Sequence, residues 1–382
     1  MNNKRKKTVI IISLACLLIM SACGNKNGGN KGGKSTKVSQ PAKEKKGKDA
    51  KNSDNKAGKG VEKEENKKKS DDKKADASNL KGSPTGEPSK EDLEKMMKEK
   101  GVVDLSKYDA KKIEDYGEKV DIDGKKMNVY VTGKGTTPLV IFPGQSEIST
   151  KYAYKNLVDK LSKNFKLYMV EPFGTGLSDV TDKPRTVENI TSEIHQAMDK
   201  LGVKNYYIAA HSLGGMYALN YVKEYPNEVK GFIGIDTSTP PMEGDAQTRT
   251  DKDSGQLAQT IPEVDDKVNE QYFSIGKKMG NNKNLKDEDE SVPETLKKMR
   301  DVKFPEGFKA KYFLADETVK DIEERKGFIK ELKSWDQQHY DLSKNPKDVS
   351  IEVLKGDHLL YHTQYNKIAD GINDFVKKVE NK

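Results

Sequence analysis

At 382 residues the chain can form one large domain or two small ones, but only 33% of it is hydrophobic, so part of it is not expected to fold. Its two cysteines, Cys16 and Cys23, both lie near the N-terminus, which excludes an internal disulfide, a cysteine-based metal site and thiol catalysis in the remainder. The formal charge of +8 is no argument for nucleic-acid binding, because the stretch from Gly24 to Ser83 holds 18 lysines against 9 acidic residues and the chain from Pro84 onward is mildly acidic.

The N-terminus begins with Lys4, Arg5, Lys6 and Lys7, continues with an apolar run from Thr8 to Met20 that is short for a permanent span, and ends in Ser21-Ala22-Cys23. This segment resembles a bacterial lipoprotein signal, with Met20 where leucine is usual. The resemblance implies cleavage before Cys23, lipidation of Cys23, and anchorage in the lipid bilayer at the outer face of the cytoplasmic membrane. An ordinary secretory peptide and an uncleaved anchor are the alternatives. From Gly24 to Ser83 the composition shifts to Lys, Gly, Asn, Asp and Ser, with almost nothing to bury, which predicts a flexible tether. A tail that binds polyanions is the functional alternative.

The folded part is expected over residues 84–382. A short helical pattern covers Lys90 to Glu99. Glu118 to Thr132 reads as a hairpin with Asp123-Gly124 at its turn and alternation through Met127, Val129 and Val131. The rhythm then changes to short continuous apolar runs, Pro138–Phe142, Phe165–Val170, Tyr206–Ala210 and Val229–Ile235, each suited to a strand buried on both faces. Helical stretches separate them at Tyr152–Ser162, Val187–Leu201 and Met216–Tyr225. That alternation predicts a mostly parallel sheet covered by helices on both faces.

The run at Tyr206 delivers Ala210-His211-Ser212-Leu213-Gly214-Gly215. A strand, a tight turn of small residues and a helix would expose Ser212 Oγ at a bend, with the free N–H groups of the helix aimed at whatever the serine attacks. A helix cap or simple turn is the bland reading of the same residues. The expected pattern is G-x-S-x-G, and Ala210 in its first position adds one methyl group.

Taken with Phe142-Pro143-Gly144-Gln145 after the third strand and Gly174-x-Gly176-x-Ser178 after the fourth, the chain resembles an α/β-hydrolase from the hairpin to the C-terminus. Pro143 stands where that family usually has histidine. The resemblance implies a serine nucleophile at Ser212 and an oxyanion hole from the backbone N–H groups of Leu213 and Gln145. The Gln145 side chain could alternatively face substrate. A serine needs a base, normally a histidine oriented by a carboxylate. Among the five histidines, His195 lies in a predicted helix, His211 must diverge from Ser212 on a tight turn, and His339 has no strand leading into it. His358 follows the strand-like run Ile351–Leu354 and precedes the final helix, about Gln364–Val376, which is the family's place for the base. His362 is the competitor, although a surface position suits it better. For the acid, the family's usual place after the penultimate strand favours Asp316, which ends the run Lys311–Ala315. Asp236, ending Val229–Ile235, is the alternative acid, and Glu317 is a minor third.

Residues 238–308 form an excursion from the sheet, with helical patterns at Glu263–Met279 and Val292–Met299 and a polar hinge around Gly280–Glu290. This is expected to be a cap over the site. The sequence thus predicts a lipid-anchored serine hydrolase acting on a small-molecule ester, or less readily an amide or peptide, with no cofactor, no metal and no nucleic-acid partner. The rival is a non-catalytic lipoprotein of the same fold serving as a binding or adhesion module. Dehalogenation would need a carboxylate where Ser212 stands.

Overall fold

The computed structural model describes residues 98–99, 101–245 and 257–381. The expected signal with Cys23, the tether from Gly24 to Ser83 and most of the expected helix at Lys90–Glu99 lie outside them. Among the described residues no helix is long and apolar enough to cross a membrane.

Strand β1 (Val102–Asp104) comes first, then the hairpin of β2 (Glu118–Ile122) and β3 (Lys125–Thr132). Asp123 and Gly124 turn it with φ of 53° and 80°, the pair of left-handed residues that a two-residue hairpin loop demands. Next are β4 (Thr137–Phe142), the short helices α1 (Thr150–Ala153) and α2 (Lys155–Leu161), β5 (Phe165–Glu171), α3 (Val187–Lys200), β6 (Tyr206–His211), α4 (Gly214–Glu224) and β7 (Val229–Ile235). The excursion holds β8 (Leu257–Gln259), α5 (Asp266–Met279) and α6 (Lys283–Met299). The chain then returns through β9 (Ala310–Ala315), α7 (Asp316–Lys326), α8 (Trp335–Tyr340), β10 (Val349–Leu354), α9 (Leu360–Thr363) and α10 (Tyr365–Glu380).

Eight strands make one sheet in the order β10-β9-β7-β6-β4-β5-β3-β2, and β1 pairs with β8 apart from it. Within the eight-stranded sheet every pairing from β10 across to β5 is parallel, whereas β3 and β2 join antiparallel. The central strands divide their side chains between two cores, as a period of two requires. Val140, Phe142, Tyr206, Ile208 and Ala210 pack beneath α3 and α4, while Leu139, Ile141, Tyr207 and Ala209 pack against α1, α2, α5 and α10. Both faces are apolar because both are covered.

Two local expectations change. The polar stretch Gly280–Glu290 is mostly not a hinge: Asn282 caps α6 through the amides of Asn284 and Leu285, and the helix runs on past Pro293. Lys283, Lys286 and Glu290 are exposed on that helix, whereas Glu288 is buried beneath it. The expected helix over Tyr152–Ser162 is broken at Tyr154 into α1 and α2.

Candidate active site

The C-terminal ends of β4, β6, β7 and β10 converge on one place, where ligands bind on open parallel sheets. Ser212 follows β6 with φ of 50°, a left-handed conformation that a non-glycine residue adopts only when its surroundings enforce it. Two backbone bonds do so: Ser212 N–H donates to the Ile235 carbonyl at 3.4 Å, and the Ser212 carbonyl accepts from Ser238 N–H at 2.9 Å. The turn must also slide under the loop after β4. A Cβ on Gly214 would lie 2.4 Å from the Pro143 carbonyl oxygen, so glycine is required there. Leu213, buried and at the cap of α4, places its amide among the unpaired N–H groups of the helix N-terminus.

His358 lies on the loop between β10 and α9, with its side chain 43% exposed. Its Nδ1 is 2.7 Å from Oδ2 of Asp236. The aspartate that meets His358 is thus Asp236, the alternative candidate, and not the favoured Asp316. Asp236, fully buried at the end of β7 with φ of 41°, also accepts from Ala315 N–H at 3.0 Å, Thr318 Oγ1 at 2.7 Å and Trp335 Nε1 at 3.1 Å. Burial opposes its charge, but the hydrogen bond and charge of His358, with Thr318 and Ala315, outweigh that and hold the carboxyl below its ordinary value. Asp316 is exposed and does not meet His358. It is the first residue of α7, and its Oδ1 accepts from Gly356 N–H at 2.8 Å, bracing the loop on which His358 sits. Glu317 is exposed beside it.

The loop after β4 carries Gln145, and the cap grips it. Asp289 of α6 accepts from Gln145 Nε2, so that side chain is committed to the cap. Glu288 accepts from Ser146 N–H at 3.4 Å and from Tyr217 Oη at 2.6 Å. Burial raises the Glu288 carboxyl above its ordinary value, against the hydrogen bond of Tyr217 and the charge of Arg185, which lower it.

The other histidines are structural in their contacts. His195 on α3 meets Glu228 at 3.0 Å and stacks on Tyr225. His211 turns from Ser212 as expected, and its Nε2 lies 3.0 Å from the His358 carbonyl, which fixes the tautomer as the Nε2–H form. Burial holds its pKa well below the ordinary value. His339 is buried between the Trp335 and Thr237 carbonyls. His362 is buried too, contrary to the expected surface position: α9 turns it toward the Ala153 backbone, and burial lowers its pKa to about 4. Sequence reasoning missed Thr318 and Trp335 around Asp236, and the carboxylates Glu147, Glu288 and Asp289 around the β4 loop; nothing local in the sequence marks them. Among the described residues no cluster of histidine, cysteine, aspartate and glutamate could hold a metal ion.

Comparison with known proteins agrees with this architecture. Residues 137–280 match the alpha/beta hydrolase fold family. Over 125 residues the chain is 36% identical to YbdG of Bacillus subtilis, an uncharacterized protein, and over 119 residues 29% identical to a cis-3-alkyl-4-alkyloxetan-2-one decarboxylase of Shewanella oneidensis. These alignments cover 32% and 30% of this chain and only 38% and 36% of the relatives. Among solved structures, the epoxide hydrolase VrEH1 of Vigna radiata superposes with a TM-score of 0.51 at 15% identity, covering 68% of this chain and 97% of that one.

Proposed function

We propose that this chain of α/β-hydrolase fold is a serine hydrolase that cleaves a carboxylic ester through an acyl-enzyme, with Ser212 as nucleophile, His358 as base and Asp236 as acid. The observation that carries the reading is the 2.7 Å pairing of His358 Nδ1 with a fully buried Asp236, together with a serine in a left-handed turn at a helix N-terminus. With Nδ1–H held by Asp236, His358 offers its Nε2 lone pair to the serine proton. Ser212 Oγ attacks the ester carbonyl carbon, and the proton passes to Nε2. The tetrahedral oxyanion is met by the amides of Leu213 and Gln145. Collapse expels the alkoxide, which takes the proton from His358; water then enters by the same path in reverse and releases the acid. An amide or peptide bond is the less favoured substrate.

The names of the neighbours raise epoxide opening. Attack of a serine oxygen on a saturated epoxide carbon would leave an ether, which has no carbonyl for water to attack, whereas a carboxylate nucleophile would leave a cleavable ester. Ser212 therefore supports acyl transfer. We further propose that lipidated Cys23 anchors the enzyme at the outer face of the bacterial cytoplasmic membrane and that the segment from Gly24 to Ser83 serves as its tether. The rival is a binding module of the same fold. A fluorophosphonate probe separates them: it should label Ser212 in the intact protein, and a wild-type protein that stays unlabelled while folded refutes the enzyme.

A further inference from the structure

Glu147, at the far end of the β4 loop, sets its carboxylate among tyrosines from separate elements. Tyr272 of α5 donates to Oε1 at 3.0 Å, and Tyr361 of α9 donates to Oε2 at 3.1 Å. The loop's own Ile148 N–H reaches Oε1 at 2.9 Å. Tyr361 in turn stacks on Tyr154, with centroids 4.1 Å apart, and meets His211 edge-on at 4.8 Å. His211 is the residue bonded to the His358 carbonyl. One carboxylate thus joins the loop that carries Gln145, the cap, and the segment that carries His358. Among the described residues no lysine or arginine pairs with it; the titratable groups facing it are Tyr272 from α5, Tyr361 from α9 and Tyr154 from the junction of α1 and α2.

We propose that Glu147 is a positioning residue for acyl transfer, clasping residues 143–148 to the cap and to the His358 segment so that the oxyanion donor of the loop is held in place. The inference rests on Ser212 being the nucleophile. A donor aimed at developing charge works only when its support is fixed to within a fraction of an ångström. An ionised carboxylate accepts from both phenols at once; a protonated one must place a hydrogen of its own and holds both less well. Burial raises the Glu147 carboxyl to about 7, against the lowering hydrogen bonds of Tyr272, Tyr361 and the Ile148 and Ser149 amides. Burial also lifts Tyr154, Tyr272 and Tyr361 well above the ordinary phenol value, so all three remain protonated. The clasp tightens as Glu147 loses its proton.

The test is the ratio of kcat for Glu147→Gln to that of the wild type from about pH 5.5 to 8.5, which cancels whatever His358 itself contributes to both profiles. Below about pH 6 the ratio should stay within about twofold of one. Above about pH 8 it should fall by roughly 10- to 100-fold, with KM changed by less than about twofold, since an oxyanion donor acts in the transition state. Tyr272→Phe, which removes a single hydroxyl, should show the same trend with smaller amplitude and should decide the matter if Glu147→Gln fails to fold. Ratios flat with pH in both variants, or a loss confined to KM, overturn the proposal. Fluorophosphonate labelling separates the two levels: an unlabelled wild type sinks the nucleophile, while a labelled wild type with flat ratios sinks Glu147 alone.

Discussion

Replacing Asp236 by asparagine should be far more damaging than the same change at Asp316, and the structure gives the reason. In the Asp236→Asn variant the side-chain oxygen can keep accepting from Ala315 N–H and Trp335 Nε1, which share Oδ1 at 3.0 and 3.1 Å in the native protein. The new amide N–H₂ then takes the place of Oδ2, facing the Thr318 hydroxyl and His358 Nδ1. The hydroxyl can rotate and accept, but Nδ1 can accept only by giving up its proton. The imidazole is driven to the tautomer protonated at Nε2, where it has no lone pair for the serine. Loss of the correct tautomer in a Ser-His-Asp triad costs about 10⁴ in kcat, or about 5 kcal/mol of transition-state stabilisation. In Asp316→Asn the side-chain oxygen still accepts from Gly356 N–H, and the bond at risk is a single exposed one worth about 1 kcal/mol. That variant should keep kcat within about threefold. The assay is steady-state hydrolysis of a short p-nitrophenyl ester by purified protein, with circular dichroism to verify folding. A folded Asp236→Asn with more than about one tenth of wild-type kcat, or an Asp316→Asn as crippled as that, refutes the assignment. Stability supplies a pH check. The Asp236 carboxyl is held below its ordinary value, so its ionic contribution is present above the unfolded value near 3.8 and is lost as pH falls through the folded one. The melting-temperature gap between the wild type and Asp236→Asn should therefore narrow on acidification below about pH 4.

Three further outcomes are expected. Ser212→Ala and His358→Ala should each remove nearly all turnover, by about 10⁴-fold or more, and the double variant should be scarcely worse than either, because the two act as one unit; steady-state kinetics on the three variants would show independent losses if this is wrong. Cys23→Ala should release the protein from membranes or stall its maturation, and a variant that still sediments with membranes after alkaline washing counts against lipidation. A chain beginning at Pro84 should turn over a soluble ester within about twofold of the full-length rate, and a large drop in folded yield or kcat would mean that the preceding segment packs on the domain.

The sheet and the elbow were legible because buried strands and small-residue turns leave local signatures: the runs at Pro138, Phe165, Tyr206 and Val229 all became strands within a residue or two. Ser212 and His358 were singled out as candidates from those strand ends. Which aspartate meets His358 was not legible by the same means, since Asp236 and Asp316 both close an apolar run and differ only in what comes after. Thr237-Ser238-Thr239 continues in irregular backbone before a 3₁₀ helix at Pro240–Asp245, which lets Asp236 take its left-handed turn and point inward. Glu317 to Lys326 continues as a helix, which turns Asp316 outward at its first residue. That helix-forming run was the available hint. His362 defeated sequence reasoning because a single turn of α9 decides whether it faces solvent or the Ala153 backbone. The grip of Asp289 on Gln145 joins residues far apart in the chain, and no local pattern announces such a pairing.

In the proposed mechanism the position of the acid has a consequence for the order in which the site is completed. Ser212 and Asp236 come from β6 and β7, which are neighbours in the chain as well as in the sheet, and both precede the cap; only the base comes from the far end, beyond β10 at the margin of the sheet. If the chain is exported as proposed, it emerges with Ser212 and Asp236 close together first, and the proposed triad is completed only when the His358 segment docks. On that assignment, fragments clipped short of His358 should be inert.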